Sequence, residues 1–374
     1  MFIPLLILIF IRPLISSLAF AYENNIYTCL LLGLAGFWII FRGLALNKAH
    51  SIRIPLLLFL LVLFSSFFLS RSNSLKLDEL SKYTAGFLLF LFPLSFSGQE
   101  RKRVILAIYS CAVLISLLAI YQYFFGFQHL LKYVLKEKIT NPFVLDAIAG
   151  KRVFYPFITP NILAGYLAMV IPLGLIYKNR FWLIFPLTAL ILTKSIGVIL
   201  AIFLVAIVYF YLQGRFKSAK FAFFLLGSLV CLGLIILIRA SVQKEYLQPS
   251  FSGLMRLSYW RDTLQIIKAH PFWGIGPGNF NLLHSRYTHN SYLQLWAETG
   301  MLGLVGFLWL SGKIIILSLK SLKEKTEHKH LVICLLCSVL AFLLHNGIDF
   351  TFFLPEVSLI WWVILGLLYS SSKT

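Results

Sequence analysis

Apolar runs of about twenty residues, divided by short polar breaks, recur along nearly the whole chain. A run of that length, wound as a helix, covers the hydrocarbon of a bilayer. Lipid offers no hydrogen bonds, so each run must satisfy its own backbone, which a helix does and an isolated strand does not. The alternation required of barrel strands is absent. The runs fall near 2–20, 28–46, 54–70, 83–97, 103–126, 158–177, 181–194, 196–213, 219–239, 301–319, 330–347 and 354–371, twelve in all. Charged residues make up only 12% of the 374 residues, where a soluble domain carries about a quarter. The expected fold is therefore an all-α polytopic membrane protein, a single transmembrane domain over 1–374. One long loop, 240–290, is inserted between the ninth and tenth helices and contains short helices. The first run lacks a small-residue cleavage site and carries Arg12-Pro13, so it is expected as a retained, kinked helix.

Basic residues mark alternate loops: Arg42, Lys48 and Arg53; Arg101, Lys102 and Arg103; Lys178 and Arg180; Arg215, Lys217 and Lys220; Lys320, Lys323, Lys325 and Lys329. The positive-inside rule makes these loops cytoplasmic and puts both termini inside, with loop 71–82 (Arg71, Lys76, Lys82) as an exception. Topology then accounts for most of the net charge of +20, and no nucleic-acid partner is indicated. What topology does not explain is the basic content of two outer loops. Loop 127–157 holds Lys132, Lys136, Lys138, Lys151 and Arg152; loop 240–290 holds Lys244, Arg256, Arg261, Lys268 and Arg286. Long loops cross regardless of charge, so tolerance is one reading; a basic chamber for an anionic headgroup is the other. Cys29, Cys111, Cys231, Cys334 and Cys337 all fall inside apolar runs, which gives packing residues rather than a disulfide framework.

Loop 240–290 has residue types that a connector does not need. Ser252 to Ala269 can form an interfacial helix anchored by Leu257, Tyr259, Trp260, Leu264, Ile266 and Ile267 and stopped at His270-Pro271. On it Arg256 and Trp260 are neighbours, while Arg256 and Arg261 point about 140° apart and cannot clamp one phosphate together. Gly274-Ile275-Gly276-Pro277-Gly278 either allows a tight bend or exposes amides to phosphate. No strand precedes it, and no Walker lysine follows. Thr288-His289-Asn290-Ser291 leads into a helix ending at Gly300, with Ser291 and Gln294 in capping-box spacing. The positive end of that helix favours a neutral imidazole at His289, which could accept a proton or simply cap the turn. His345 and Asp349 have i, i+4 spacing at the outer end of another helix, Lys194-Ser195 lies at an outer turn, and Thr159-Pro160 reads as a helix start. No HExxH, GxSxG or acidic cluster occurs, so neither a metal nor any other cofactor is expected.

Taken in order, Arg256-x-x-x-Trp260, His270-Pro271-Phe272-Trp273-Gly274-Ile275-Gly276-Pro277-Gly278-Asn279-Phe280, His289-Asn290-Ser291-Tyr292-Leu293-Gln294 and Glu298-Thr299-Gly300-Met301-Leu302-Gly303 resemble the O-antigen ligase and polymerase superfamily. The segment Arg152 to Tyr166 also looks like that family, so the resemblance covers about 150–360. The family's Ser-Arg-Gly stands here as Ser195-Ile196-Gly197, without its arginine, and Lys194 is the nearest substitute. The resemblance implies a GT-C-like, membrane-embedded glycosyltransferase of a bacterial inner membrane with its site facing the periplasm. The donor would be undecaprenyl-diphosphate-linked O-antigen and the acceptor lipid A–core oligosaccharide, in lipopolysaccharide biosynthesis, with membrane lipids around it. It implies His289 and Arg256 as catalytic residues, with Arg152, Lys194, Arg261, Trp260, Tyr292, Asn290 and His345 binding diphosphate or glycan. An O-antigen polymerase or a protein O-oligosaccharyltransferase shares these motifs. A flippase or transporter of lipid-linked glycan is a further alternative, disfavoured because the polar residues gather at one face instead of lining a mid-membrane path.

Overall fold

The computed structural model describes residues 2–43, 45–69, 77–140, 145, 148–242, 249–283, 285–323 and 328–373. Arg71, Lys76, Lys244 and Lys325 lie outside the described residues, as do the side chains of Arg42 and Lys220. All the regular structure described is helical: α1 Phe2–Ile11, α2 Ala21–Arg42, α3 Arg53–Leu69, α4 Leu77–Leu91, α5 Gly98–Tyr121, α6 Phe127–Lys136, α7 Pro160–Gly174, α8 Ile184–Leu192, α9 Ile196–Leu212, α10 Ala219–Val242, α11 Pro249–Ala269, α12 Ser291–Ser321, α13 Lys329–Asn346 and α14 Pro355–Ser371. The protein is a multi-pass helical membrane protein. Six stretches are long and apolar enough to cross a bilayer: Ala21–Phe41, Ala45–Leu69, Gly98–Lys136, Phe221–Ile238, Ser291–Ser321 and Lys329–Asn346. Five more apolar helical stretches are shorter, from Phe2–Leu14 to Pro355–Ser371.

Burial explains why several of the shorter helices suffice. Every residue of α14 is buried, and so is α7 from Ile162 to Gly174. A helix that is apolar all round is placed inside protein, where its ends need not reach the headgroups. α13 packs on α7 and α14, α9 on α13, α14 on α4, and α12 on α3, so the innermost layer is α7, α13 and α14.

Four features differ from the expectations drawn from sequence. The first run is broken rather than kinked: α1 stops at Ile11, and Arg12-Pro13-Leu14 turn as a 3₁₀ segment. Arg12 is fully buried, donates to Asn24 Oδ1 at 2.7 Å and to the Ile15 carbonyl at 2.9 Å, and lies 3.6 Å from Glu356. That network fixes the bend where Pro13 removes a helix amide. Second, segment 127–157 opens as helix rather than loop. α5 passes through a π-turn at Gln122–Gly126 into α6, because buried Gln122 turns its Oε1 to the amides of Phe154 and Tyr155 at 2.8 and 3.0 Å. Third, within segment 240–290 α10 runs on to Val242, and the expected interfacial helix, α11, begins at Pro249, earlier than Ser252, and ends at Ala269. Fourth, the helix after His289 is capped by Asn290, whose Oδ1 accepts from the amides of Tyr292 and Leu293 at 3.0 and 3.1 Å, and not by a Ser291–Gln294 box. Ser291 is engaged elsewhere, its hydroxyl donating to Asn346 Oδ1 at 2.6 Å.

The break expected at Gly300 is present and carries the irregular segment. Gly300 has φ 71° inside α12, and there the chain of i→i−4 bonds is interrupted. The carbonyls of Ala297 and Glu298 accept from the amides of Ile275 and Gly276 at 2.9 and 2.8 Å, and the Met301 amide donates to the Pro271 carbonyl at 2.8 Å. The Ser66 hydroxyl, on α3, lies 2.7 Å from the Trp273 carbonyl and 2.9 Å from that of Glu298. The Glu298 carboxylate accepts from the Gly278 amide at 3.1 Å and from Gln294 Nε2 at 3.0 Å. The glycine bend is thus a docking element whose amides are used against α12. A Cβ at Gly300 would collide with the backbone of Phe272. We expect Gly300→Ala to lower stability by at least about 1–3 kcal/mol, from left-handed strain and loss of this docking. Thermal unfolding of the purified protein in detergent checks this, and an unchanged midpoint would contradict it.

Candidate active site

Three turns meet around one cavity. The first is at the start of α7, where Thr159 caps the helix, accepting from the Ile162 amide, and Pro160 supplies a first position that needs no N–H partner. This sets Asn161 in the opening turn. Its Oδ1 accepts from Arg152 Nη2 and from the Ser195 hydroxyl, each at 3.0 Å, while Arg152 Nε donates to the Thr193 carbonyl at 3.0 Å. Arg152 is thereby held in one orientation by two fixed acceptors. Lys194, in the left-handed region at φ 51°, turns its ammonium to the Gly150 carbonyl at 2.8 Å.

The second turn is the N-terminal part of α11, which presents Ser252, Gly253 and half-buried Arg256 to the cavity. Arg261 is exposed on another face of the helix, as the 140° separation requires. Trp260 buries its indole Nε1 without a hydrogen-bond partner.

The third is the end of α13. His345 and Asp349 are both buried, with Nε2 and Oδ2 3.6 Å apart, and Asp349 Oδ1 accepts from the Phe350 amide at 2.7 Å. A Cβ at Gly165 would stand 2.5 Å from His345 Nδ1, so this imidazole seats directly on the α7 backbone. Asn346 joins the third turn to the start of α12: its Oδ1 accepts from Ser291, from Thr351 and from the Phe352 amide. The Ser291 amide also donates to the Asp349 carbonyl at 3.0 Å.

That connection places His289 beside the cavity. Its φ of 54° is uncommon for a non-glycine residue. Thr288 holds it: the Thr288 hydroxyl donates to the Asn290 carbonyl at 2.5 Å and accepts from the Asn290 amide at 2.8 Å. The ring stacks on Tyr259 of α11 at 5.9 Å and meets Phe350 edge-on at 4.7 Å, with Nδ1 buried and unpartnered. Burial lowers the imidazole pKa from 6.5; Asp349 pulls it back up, and Arg256 pushes it further down.

The cavity measures about 290 Å³, and Ile196, Gly197, Leu200 and Ile348 complete its wall. Of the candidates read from sequence, Arg152, Arg256 and His345 line it; His289 is not among its lining residues, though its ring feels the charges of Asp349 and Arg256. Lys194, Arg261, Trp260, Tyr292 and Asn290 are not among its lining residues. Tyr292 donates to the Leu343 carbonyl at 2.6 Å, and Asn290 is the cap of α12. Asn161, which orients Arg152 and Ser195, is not a sequence candidate. The signal available for it is its place just after Thr159-Pro160, in a first turn that leaves a side chain free to face the helix end. Among the described residues, no three His, Cys, Asp or Glu side chains are grouped to hold a metal ion.

Two guanidiniums and a buried His345–Asp349 contact at one cavity in a largely apolar bundle mark a functional site rather than packing. Residues 181–308 match the O-antigen ligase family, which supports the superfamily read from the motifs and a glycosyltransferase-like enzyme of the O-antigen ligase and polymerase kind. A comparison with curated protein sequences gave no match. The matched stretch contains Ser195, Arg256 and His289, while Arg152, Asn161, His345 and Asp349 lie outside it and complete the same cavity.

The His289 environment has a signed consequence. Its protonation midpoint should lie below 6.5, rise in Arg256→Ala and fall further in Asp349→Asn. Titration of isotope-labelled histidine by NMR measures all three, and a midpoint above 6.5 in the unsubstituted protein would overturn the assignment.

Proposed function

We propose that this chain is an O-antigen ligase, transferring glycan from undecaprenyl diphosphate to a sugar hydroxyl of lipid A–core oligosaccharide at the periplasmic face of the inner membrane, both termini being cytoplasmic. The observation that carries this reading is the convergence of Arg152 and Arg256, from distant parts of the chain, on one cavity beside His289, His345 and Asp349. Two guanidiniums suit the charge of a diphosphate leaving group, and the apolar bundle suits its polyprenyl chain. The basic-loop pattern supports the orientation.

In the reaction, the acceptor hydroxyl attacks the anomeric carbon from the side opposite the diphosphate. The new C–O bond forms as the bond to the diphosphate oxygen breaks, with inversion. His289, kept neutral by burial and by Arg256, takes the hydroxyl proton, and Asp349 stabilises the imidazolium. Arg256 and Arg152 carry the charge that develops on the departing undecaprenyl diphosphate, which leaves with the electron pair. Arg152 is held ready by Asn161 and the Thr193 carbonyl, so little reorganisation is needed when that charge appears.

A second assignment of the base has an observation in its favour: His345 lines the cavity and faces the same carboxylate as His289. Purified protein given lipid-linked donor and defined acceptors distinguishes the two. His289→Ala is expected to lose on the order of 10²–10⁴ in rate and Arg256→Ala on the order of 10²–10³. Near-normal turnover in His289→Ala with loss in His345→Ala would transfer the role. Turnover with excess chelator is expected to be undiminished, and activity restored only by Mg²⁺ or Mn²⁺ would defeat the metal-independent mechanism. Transfer to growing glycan instead of lipid A–core would make the enzyme a polymerase.

A further inference from the structure

A second cavity, also about 290 Å³, opens at the other ends of α7 and α9 from the candidate active site. Its wall is apolar, formed by residues such as Pro172 of α7, Val205 and Ala206 of α9, Phe224 of α10 and Cys337 of α13. Two cations stand at it, Arg180 from the turn before α8 and Arg215 from the turn between α9 and α10. Both residues are exposed, and they follow the C-terminal ends of α7 and α9, so they border the same end of the cavity. Among the described residues neither makes an ion pair with a carboxylate.

An apolar chamber with two cations at one end that no described carboxylate compensates matches an amphiphile with an anionic head and an acyl tail. It does not match a free anion, which has no use for the apolar wall, or a neutral lipid, which has none for the arginines. We propose that this cavity binds an anionic glycerophospholipid of the surrounding leaflet, its phosphate against Arg180 and Arg215 and one tail between α7, α9 and α10. The site lies on the same two helices that carry Asn161 and Ser195 at their opposite ends, its α9 residues Ile202 to Phe210 standing about 10–22 Å along that helix from Ser195. It is independent of the transferred glycan.

The test uses the purified full chain in phosphatidylcholine nanodiscs, titrated with phosphatidylglycerol and read by native mass spectrometry after release of loosely held lipid. Phosphatidylglycerol is expected to be retained and phosphatidylcholine not. The double variant Arg180→Ala/Arg215→Ala is expected to lower retention about tenfold or more. Ala206→Trp, which fills the chamber and leaves both arginines in place, is expected to lower it as well, and serves alone if the double variant does not fold. Equal retention of the two lipids, or wild-type retention by either variant, would overturn the proposal. Since no glycan transfer is read, the result stands apart from the reaction proposed above.

Discussion

Where α12 breaks at Gly300, the chain meets the condition that governs any helix beside lipid: backbone groups released from a helix must find partners within the protein. Here they find them in the glycine bend, through the Ala297 and Glu298 carbonyls and the Met301 amide. One exchange of hydrogen bonds therefore does two things. It makes the break tolerable, and it fixes the segment between α11 and α12 to the bundle. Because His289 and the cap of α12 follow from that segment, and Tyr259 and Arg256 precede it on α11, the geometry around the cavity is inherited from a backbone repair.

The cavity is assembled by long-range contact. Arg152, Asn161 and Ser195 come from either side of α7 and α8, Arg256 from α11, and His345 and Asp349 from the end of α13. Asp349 is in contact with His345 and acts electrostatically on His289. A single carboxylate in this position biases both rings, so their protonation states are linked even though they sit on different elements.

Local signals in the sequence were legible and tertiary ones were not. Thr159-Pro160 started α7 and Gly300 broke α12, because capping and left-handed backbone depend on the residue itself. The separation of Arg256 from Arg261 followed from helical angle alone. The continuation of α5 into α6 was missed because it depends on Gln122 reaching the amides of Phe154 and Tyr155, more than thirty positions on. Ser291 and Gln294 had capping-box spacing, yet Ser291 was drawn to Asn346, a partner no short window contains. Lys194 looked like a replacement cation, and its ammonium instead meets the Gly150 carbonyl, with Arg152 occupying the cavity.

The buried contact between Arg12 and Glu356 bears on the order of events at the ribosome. Ser16, which neighbours Arg12, and Glu356 are separated by 340 positions, so the first helix is synthesised and delivered to the bilayer long before its counter-charge exists. Until then the guanidinium has only the neutral acceptors Asn24 and Ile15, and a charge without its counter-charge is favoured at the headgroup level, since uncompensated charge in hydrocarbon is costly. Only when α14 arrives with Glu356 does burial of Arg12 become favourable. The early helix is then expected to dock late, when the segment that carries Glu356 has been made.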